Sequence, residues 1–291
     1  MKSINIKCLH CGSEEVVKRG TFETKAHGKQ QRFFCKKCGK KFIVRTGFYR
    51  MRNNAQKITA SIDLFYNGLS TRKVQAHLKA FFPHNASNVS VYNWVIKYSK
   101  MIGSFTDKLK IKTGRELQAD EIEFKRKGKK AYFLDNIDTK TRFALSSKFC
   151  DSRDMPNFKE VFKMAKQKLL NAYEVITTDG YLAYPRAVKV MGVDKRYIQK
   201  GGTIHIINNA SRGGSFNFPI ERLHNTIRQR TEGFRGFHGS REKADLLMCG
   251  LLIYYNFVRN HQGIKCCPYE LATDLELNNP NRWMDLIELS S

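Results

Sequence analysis

Acidic side chains are scarce in this chain: 26 Asp and Glu stand against 52 Lys and Arg, a formal net charge of +26 over 291 residues. The imbalance points to a polyanionic partner, since each phosphate contact releases counterions and adds salt-dependent affinity. A basic ribosomal protein would share it, and charge alone does not separate the two. Long apolar runs are missing, which excludes a helical membrane span, and no secretory signal is visible. A soluble, cytoplasmic, nucleoid-associated protein is therefore expected. Internal repeats and low-complexity tracts are absent. With 41 % hydrophobic and 12 % aromatic residues, the composition is that of a folded chain long enough for two or three small domains. There is also no Ser-His-Asp pattern, so any catalysis must draw on other groups.

A disulfide framework is excluded by distribution rather than by number. Four of the eight cysteines form two C-x-x-C pairs, Cys8/Cys11 and Cys35/Cys38, while Cys150, Cys249, Cys266 and Cys267 are scattered without metal spacing. In an intracellular chain, paired C-x-x-C means metal more often than disulfide. Residues 1–54 are accordingly predicted to be a zinc ribbon: four thiolates suit tetrahedral Zn²⁺, and the metal substitutes for the core that so short a segment lacks. Short strands are expected at Val16–Gly20 and Gln31–Phe34, and His10 and His27 are bystanders. This segment carries 14 Lys/Arg against 3 Asp/Glu, so contact with DNA is expected beside the plain structural role.

Residues 55–102 are predicted to form a helix-turn-helix domain. Ile58, Ile62, Leu64, Phe65 and Leu69 supply an apolar face, Asn67-Gly68-Leu69-Ser70 breaks the helix, and Ser70 or Thr71 caps the next. A third helix spans Ser90–Lys100. Val91, Trp94, Val95 and Tyr98 fit its inner face, and Ser90, Asn93 and Lys97 an outer face that reads DNA. A small helical spacer packed on the core is the plainer alternative. A short basic linker, 103–115, follows, and 103–291 is assigned to a third domain.

That third domain carries three carboxylates in distinctive settings. Leu117–Phe124, Ala131–Ile137 and Arg142–Ser146 are predicted to form a three-stranded meander, with Asp120 in mid-strand, where Asp is disfavoured. Glu121 falls on the opposite face by strand alternation. Val175-Ile176-Thr177-Thr178 is a buried strand delivering Asp179 at its tip. Downstream, a helix begins near Phe218 with Pro219 in its first turn. Along it Glu221, His224, Asn225 and Arg228 are spaced to share one face. Leu246–Tyr255, apolar all round, is a buried helix.

Asp120, Asp179 and Glu221, with Asp-Gly-Tyr-x-x-Tyr at 179–184, Glu-Arg-x-His-Asn-x-Ile-Arg at 221–228 and the segments Tyr255–Gln262 and Pro268–Ala272, resemble the DDE transposases, most nearly insertion-sequence family six. The Asp179–Glu221 gap is wider than that family usually shows, and the extra length is expected in the glycine-rich loop around Gly201-Gly202 and Gly213-Gly214. The resemblance implies an α/β, ribonuclease H-like catalytic core preceded by the ribbon and the helical domain. It also implies a catalytic triad of Asp120, Asp179 and Glu221 holding Mg²⁺ or Mn²⁺, with Arg228 and His224 on phosphate. The implied activity is cleavage and strand transfer on double-stranded DNA, at terminal inverted repeats and at a target, by a homodimer or larger assembly. A silent DNA-binding derivative of a transposase and a ribonuclease H-like nuclease are the alternatives from other classes.

Overall fold

The computed structural model describes residues 6–24, 28–82, 86–193, 202–208, 218–234 and 236–291. His27, Gly201, Gly213 and Gly214 lie outside them. At the N-terminal end, β1 (Val16–Thr24), β2 (Gly28–Cys35) and β3 (Lys41–Ile43) form an antiparallel sheet in that order. Its buried residues are Cys8, Phe33, Cys35 and Phe42, the two phenylalanine rings stacked 5.8 Å apart. Four residues are too small a core to hold a domain without a cross-link.

Three helices follow: α1 (Ala55–Tyr66), α2 (Thr71–Phe81) and α3 (Asn88–Thr106). Each begins on a polar cap whose side-chain oxygen accepts from a backbone N–H three residues on: Asn54 from Lys57, Ser70 from Lys73 and Ser87 from Ser90. Val91, Trp94, Val95 and Tyr98 are buried, as the inner face requires. The helix does not stop at 102. Its apolar stripe continues through Ile102 and Gly103, so the stretch expected as a linker starts as helix.

The second sheet contains β4 (Glu116–Arg126), β5 (Lys129–Asp138), β6 (Ala144–Cys150), β7 (Val175–Thr178) and β8 (Ile204–Ile207), in the order β6-β5-β4-β7-β8. The first three are the antiparallel meander; β7 and β8 run parallel to β4. On one face lie α4 (Met155–Lys168) and α5 (Tyr184–Ala187), on the other α6 (Phe218–Thr231) and α7 (Arg241–Ile253), the last continuing as a π-helical turn over Tyr254–Val258. This mixed sheet with helices on both faces is the ribonuclease H-like arrangement. The edge strand β8 was not foreseen in the sequence.

The three helices α1 to α3 and this sheet share one buried core running from Phe48 to Ile287. Its tightest crossing is at Gly250 of α7, under the Tyr66 hydroxyl of α1 and the Ser99 hydroxyl of α3, which hydrogen-bond each other at 2.8 Å. A Cβ on Gly250 would overlap both oxygens. The short helices α8 (Pro268–Ala272) and α9 (Arg282–Leu289) close the chain. From α9, Trp283 stacks on Tyr66 and its indole N–H donates to Asp63. Gly250→Ala is expected to destabilise the chain by about 1–3 kcal/mol, the range for overpacking a filled site. A urea melt would check this, and an unchanged midpoint would refute the crossing.

Candidate active site and metal centres

The two glycines of the cysteine knuckles are there for backbone reasons. Gly12 and Gly39 hold φ of +71° and +68° and donate to the carbonyls of Cys8 and Cys35. The two turns thus have the same shape, and each aims a cysteine pair inward. Sγ of Cys8 lies 3.6 Å from that of Cys38, and Cys11 the same distance from Cys35. All four sulfurs fall within 4.8 Å of one another. Sulfurs about 2.3 Å from a tetrahedral cation would stand about 3.8 Å apart, so the donor set fits such an ion. His10 gives its backbone N–H to Cys8 Sγ rather than its ring to the cluster.

The carboxylate site arises from strand register. Parallel pairing of β4 with β7 runs from Glu116↔Val175 to Ala119↔Thr178, so the next residues, Asp120 and Asp179, come side by side at the C-terminal end of β7. On the other side of β4, Asp120 is opposite Asp135 of β5. Carboxylate oxygens of Asp120, Glu121 and Asp179 fall within 4.8 Å of one another. Strand alternation still holds for their direction: Asp120 turns to α6 and Glu121 to α5. Both reach Asp179 because it sits past the end of its strand, where an Asx turn holds it (Tyr181 N–H to Oδ1, 2.9 Å). Sequence reasoning placed Glu121 away from the site because alternation describes faces and not strand ends.

The surroundings of these acids decide their charge. His224, almost fully buried on α6, lies with Nε2 2.8 Å from Asp135 Oδ1 and Nδ1 3.6 Å from Asp120 Oδ2. Burial pulls the imidazolium down, but Asp135 and then Asp120 outweigh it and leave His224 above its ordinary value. Burial pushes Asp120 up to about 6, against the pull of His224. Glu121 is pushed up to about 7 by burial, although the Tyr184 hydroxyl donates to it at 2.8 Å and Arg153 pairs with it. Arg153 in turn is sandwiched against Tyr181, 3.8 Å from the ring centroid. Acids held back from ionising by burial and by each other form a donor set that a divalent cation would relieve, and this fits a metal.

Glu221 occupies the first turn of α6 and is not within the 4.8 Å cluster. Its neighbours on the helix fix where it stands: the Ile220 N–H meets Gln118 of β4 at 3.4 Å, and His224, one turn on, reaches Asp120. Among the described residues Glu221 has neither hydrogen bond nor ion pair. The face expected to unite Glu221, His224, Asn225 and Arg228 is divided, since His224 is buried against the sheet while Asn225 and Arg228 are exposed. His224 therefore braces Asp120 and Asp135 and does not face solvent. The reason is that Asp135, on the neighbouring strand, supplies a buried partner that periodicity on one helix does not reveal. On α3, Asn93 and Lys97 are exposed, and the Ser90 hydroxyl bonds to that of Ser87.

Two measurements follow from this geometry. Replacing Cys35 by Ser should lower bound zinc from one ion per chain and loosen the ribbon, read by metal analysis and by proteolysis within the first 54 residues. Mn²⁺ must displace the protons that Asp120 and Glu121 hold up to about 6 and 7. Its affinity should thus weaken by up to about tenfold per pH unit per displaced proton as pH falls below these values. Without metal the sign reverses: raised folded values make these two groups contribute stability at low pH that is lost as pH rises through about 6 to 7. Calorimetry at several pH values would read both, and a pH-independent Mn²⁺ affinity would contradict the assignment.

Residues 114–261 match the DDE domain of the IS240 transposase type. An uncharacterized protein of Methanocaldococcus jannaschii is 24 % identical over 226 residues, covering 76 % of this chain and 94 % of its own length. Among solved structures, the HTLV-2 integrase catalytic core domain in complex with magnesium is 14 % identical with a TM-score of 0.38, covering 55 % of this chain and 96 % of that one. The simian T-cell lymphotropic virus intasome, in complex with PP2A regulatory subunit B56 gamma, is 12 % identical with a TM-score of 0.42, covering 76 % and 74 %. With half of its length matched to that domain, the carboxylate-bearing sheet included, the chain belongs to the IS240-type DDE transposase family.

Proposed function

We propose that this protein is a working DNA transposase, which cuts at the ends of its element and joins the freed 3′ end to a target. The observation that carries the proposal is the convergence of Asp120, Glu121 and Asp179 within 4.8 Å, with Asp120 braced by a buried histidine from the helix that bears Glu221. Asp120, Asp179 and Glu221 are the catalytic triad in this reading. Asp120 and Asp179 are adjacent through register, and among the described residues Glu221 has no other partner to give up. Glu121, already held by Arg153 and Tyr184, tunes the site and is not essential. Mg²⁺ or Mn²⁺, when bound there, would supply the positive charge that activates an attacking oxygen and stabilises a leaving one. His224 keeps the Asp120 carboxylate oriented, and exposed Arg228 contacts a DNA phosphate.

Binding is assigned to the N-terminal parts. Residues 1–54, with Zn²⁺ on Cys8, Cys11, Cys35 and Cys38, and residues 55–102, with Ser90, Asn93 and Lys97 on the reading helix, grip double-stranded DNA at the terminal inverted repeats. Residues 103–291 form the catalytic part. Joining two ends calls for at least a dimer in the active complex, and the reaction belongs in the cytoplasm on the nucleoid. No helix among the described residues is long and apolar enough to cross a membrane.

The test is metal-dependent cleavage of DNA carrying the element's flanking ends. Asp120→Ala, Asp179→Ala and Glu221→Ala should each lower nicking by at least about a thousandfold, the scale on which preorganised charge stabilisation acts, with DNA affinity retained. Glu121→Gln should keep measurable cleavage. Survival of cleavage in Glu221→Ala together with loss in Glu121→Gln would transfer the third position to Glu121. Binding without a cut in any form would mark a silent DNA-binding derivative, and cleavage confined to RNA–DNA hybrids a nuclease.

A further inference from the structure

The helix that carries Glu221 and His224 toward the sheet has a second functional-looking face. Its outer side, together with the β5–β6 turn and the segment after α7, forms a notch of about 360 Å³ lined by Arg142, Arg222 and Arg259 with Asn225, Gln229 and His261. Among the described residues no carboxylate lines it, and none of the three arginines has an ion pair with any of them. Three guanidiniums without a counter-charge around one concavity repel each other, a cost that an anion would remove. Arg142 sharpens the case. Its Nη1 is buried without any acceptor among the described residues, and buried donors are otherwise almost always paired.

The backbone holds Arg142 there against its preference. It sits at φ +60°, a conformation side chains rarely adopt, in a turn locked by Asp138, whose Oδ1 accepts from Thr141 N–H at 2.7 Å and whose carbonyl accepts from Arg142 N–H. Arg259 is braced by a 3.0 Å bond to the Thr226 hydroxyl. His261 donates Nε2–H to the Tyr255 carbonyl, and burial, then Arg259 and Arg142, pull it down to about 4, so it adds a neutral polar wall. Guanidinium forks with neutral amides beside them match phosphate oxygens, which take parallel N–H donors.

The geometry points to this notch as a second phosphate-binding site, which seats the sugar–phosphate backbone of a nucleic acid strand on the side of α6 away from His224. It rests on the transposase reading and adds to it a place where the strand is gripped beyond the reacting phosphate. Because contacts are to the backbone, the grip is independent of base sequence.

The test is the salt dependence of duplex DNA binding by the full, zinc-loaded chain, measured by fluorescence anisotropy with two unrelated sequences. Arg222→Gln and Arg259→Gln are compared with Lys159→Gln, an exposed charge on the opposite face of the sheet. Arg222 is exposed and its side chain has no hydrogen bond or ion pair among the described residues, so that variant keeps the fold, which a thermal melt verifies for both. Each notch variant should weaken binding to both sequences alike and flatten the slope of log affinity against log salt by about 1, one phosphate contact, while Lys159→Gln leaves it unchanged. Wild-type DNA binding with equal slopes in all four proteins overturns the notch alone. Absence of any DNA affinity in the wild type overturns both the notch and the proposed function. Pyrophosphate supplies the other source of phosphate: stabilisation of wild type but not of Arg222→Gln, with slopes unaltered, would make the notch a free-phosphate site and overturn the nucleic acid assignment.

Discussion

Repulsion between carboxylates in mid-β4, beside the C-terminal end of β7, is the constraint on which the rest of the architecture turns. Asp120, Glu121, Asp135 and Asp179 come close within a largely buried setting, where unscreened like charges are costly. The fold answers with one imidazole from α6 set between Asp120 and Asp135, and with one guanidinium from the loop before α4 and one phenol from α5, both on Glu121. The balance is incomplete: Asp120 and Glu121 still hold their protons to near neutrality, and Asp135 Oδ2 is buried without a hydrogen-bond partner among the described residues. An arrangement stabilised as far as side chains allow, yet short of positive charge, is one prepared for a cation.

Holding those acids together requires a stiff frame, and the frame is wider than the sheet. The helices α1 to α3 share their core with α7 and α9, and at Gly250 the backbone of α7 packs directly under the Tyr66 and Ser99 side chains of α1 and α3. A helix in that position keeps a fixed relation to the strands beneath. The ribbon is built differently. Its own four-residue core is separate, and its integrity is assigned to four sulfurs in place of apolar area.

The helix α6 shows how one element serves two chemistries. Ile220, Leu223, His224 and Ile227 are buried against the sheet, while Arg222, Asn225 and Gln229 face a basic notch. With both faces occupied, the helix has little freedom of rotation, so the position of Glu221 follows from packing that has nothing to do with catalysis.

The sequence by itself determined the local devices. The C-x-x-C pairs with their glycines, the Ser70 cap, the meander with Asp120 and the strand ending at Asp179 were all legible, because each depends on spacing within a few residues. What periodicity could not supply was every relation set by pairing between distant strands. That Glu121 reaches Asp179 depends on where β7 ends beside β4, and that His224 turns inward depends on Asp135 two strands away from Asp179. Arg142, Arg222 and Arg259 meet only because the β5–β6 turn, α6 and the segment after α7 pack together, and no local pattern links them. Helix and strand periods report which way a side chain points. What it points at is decided by register and packing, and those belong to the tertiary structure alone.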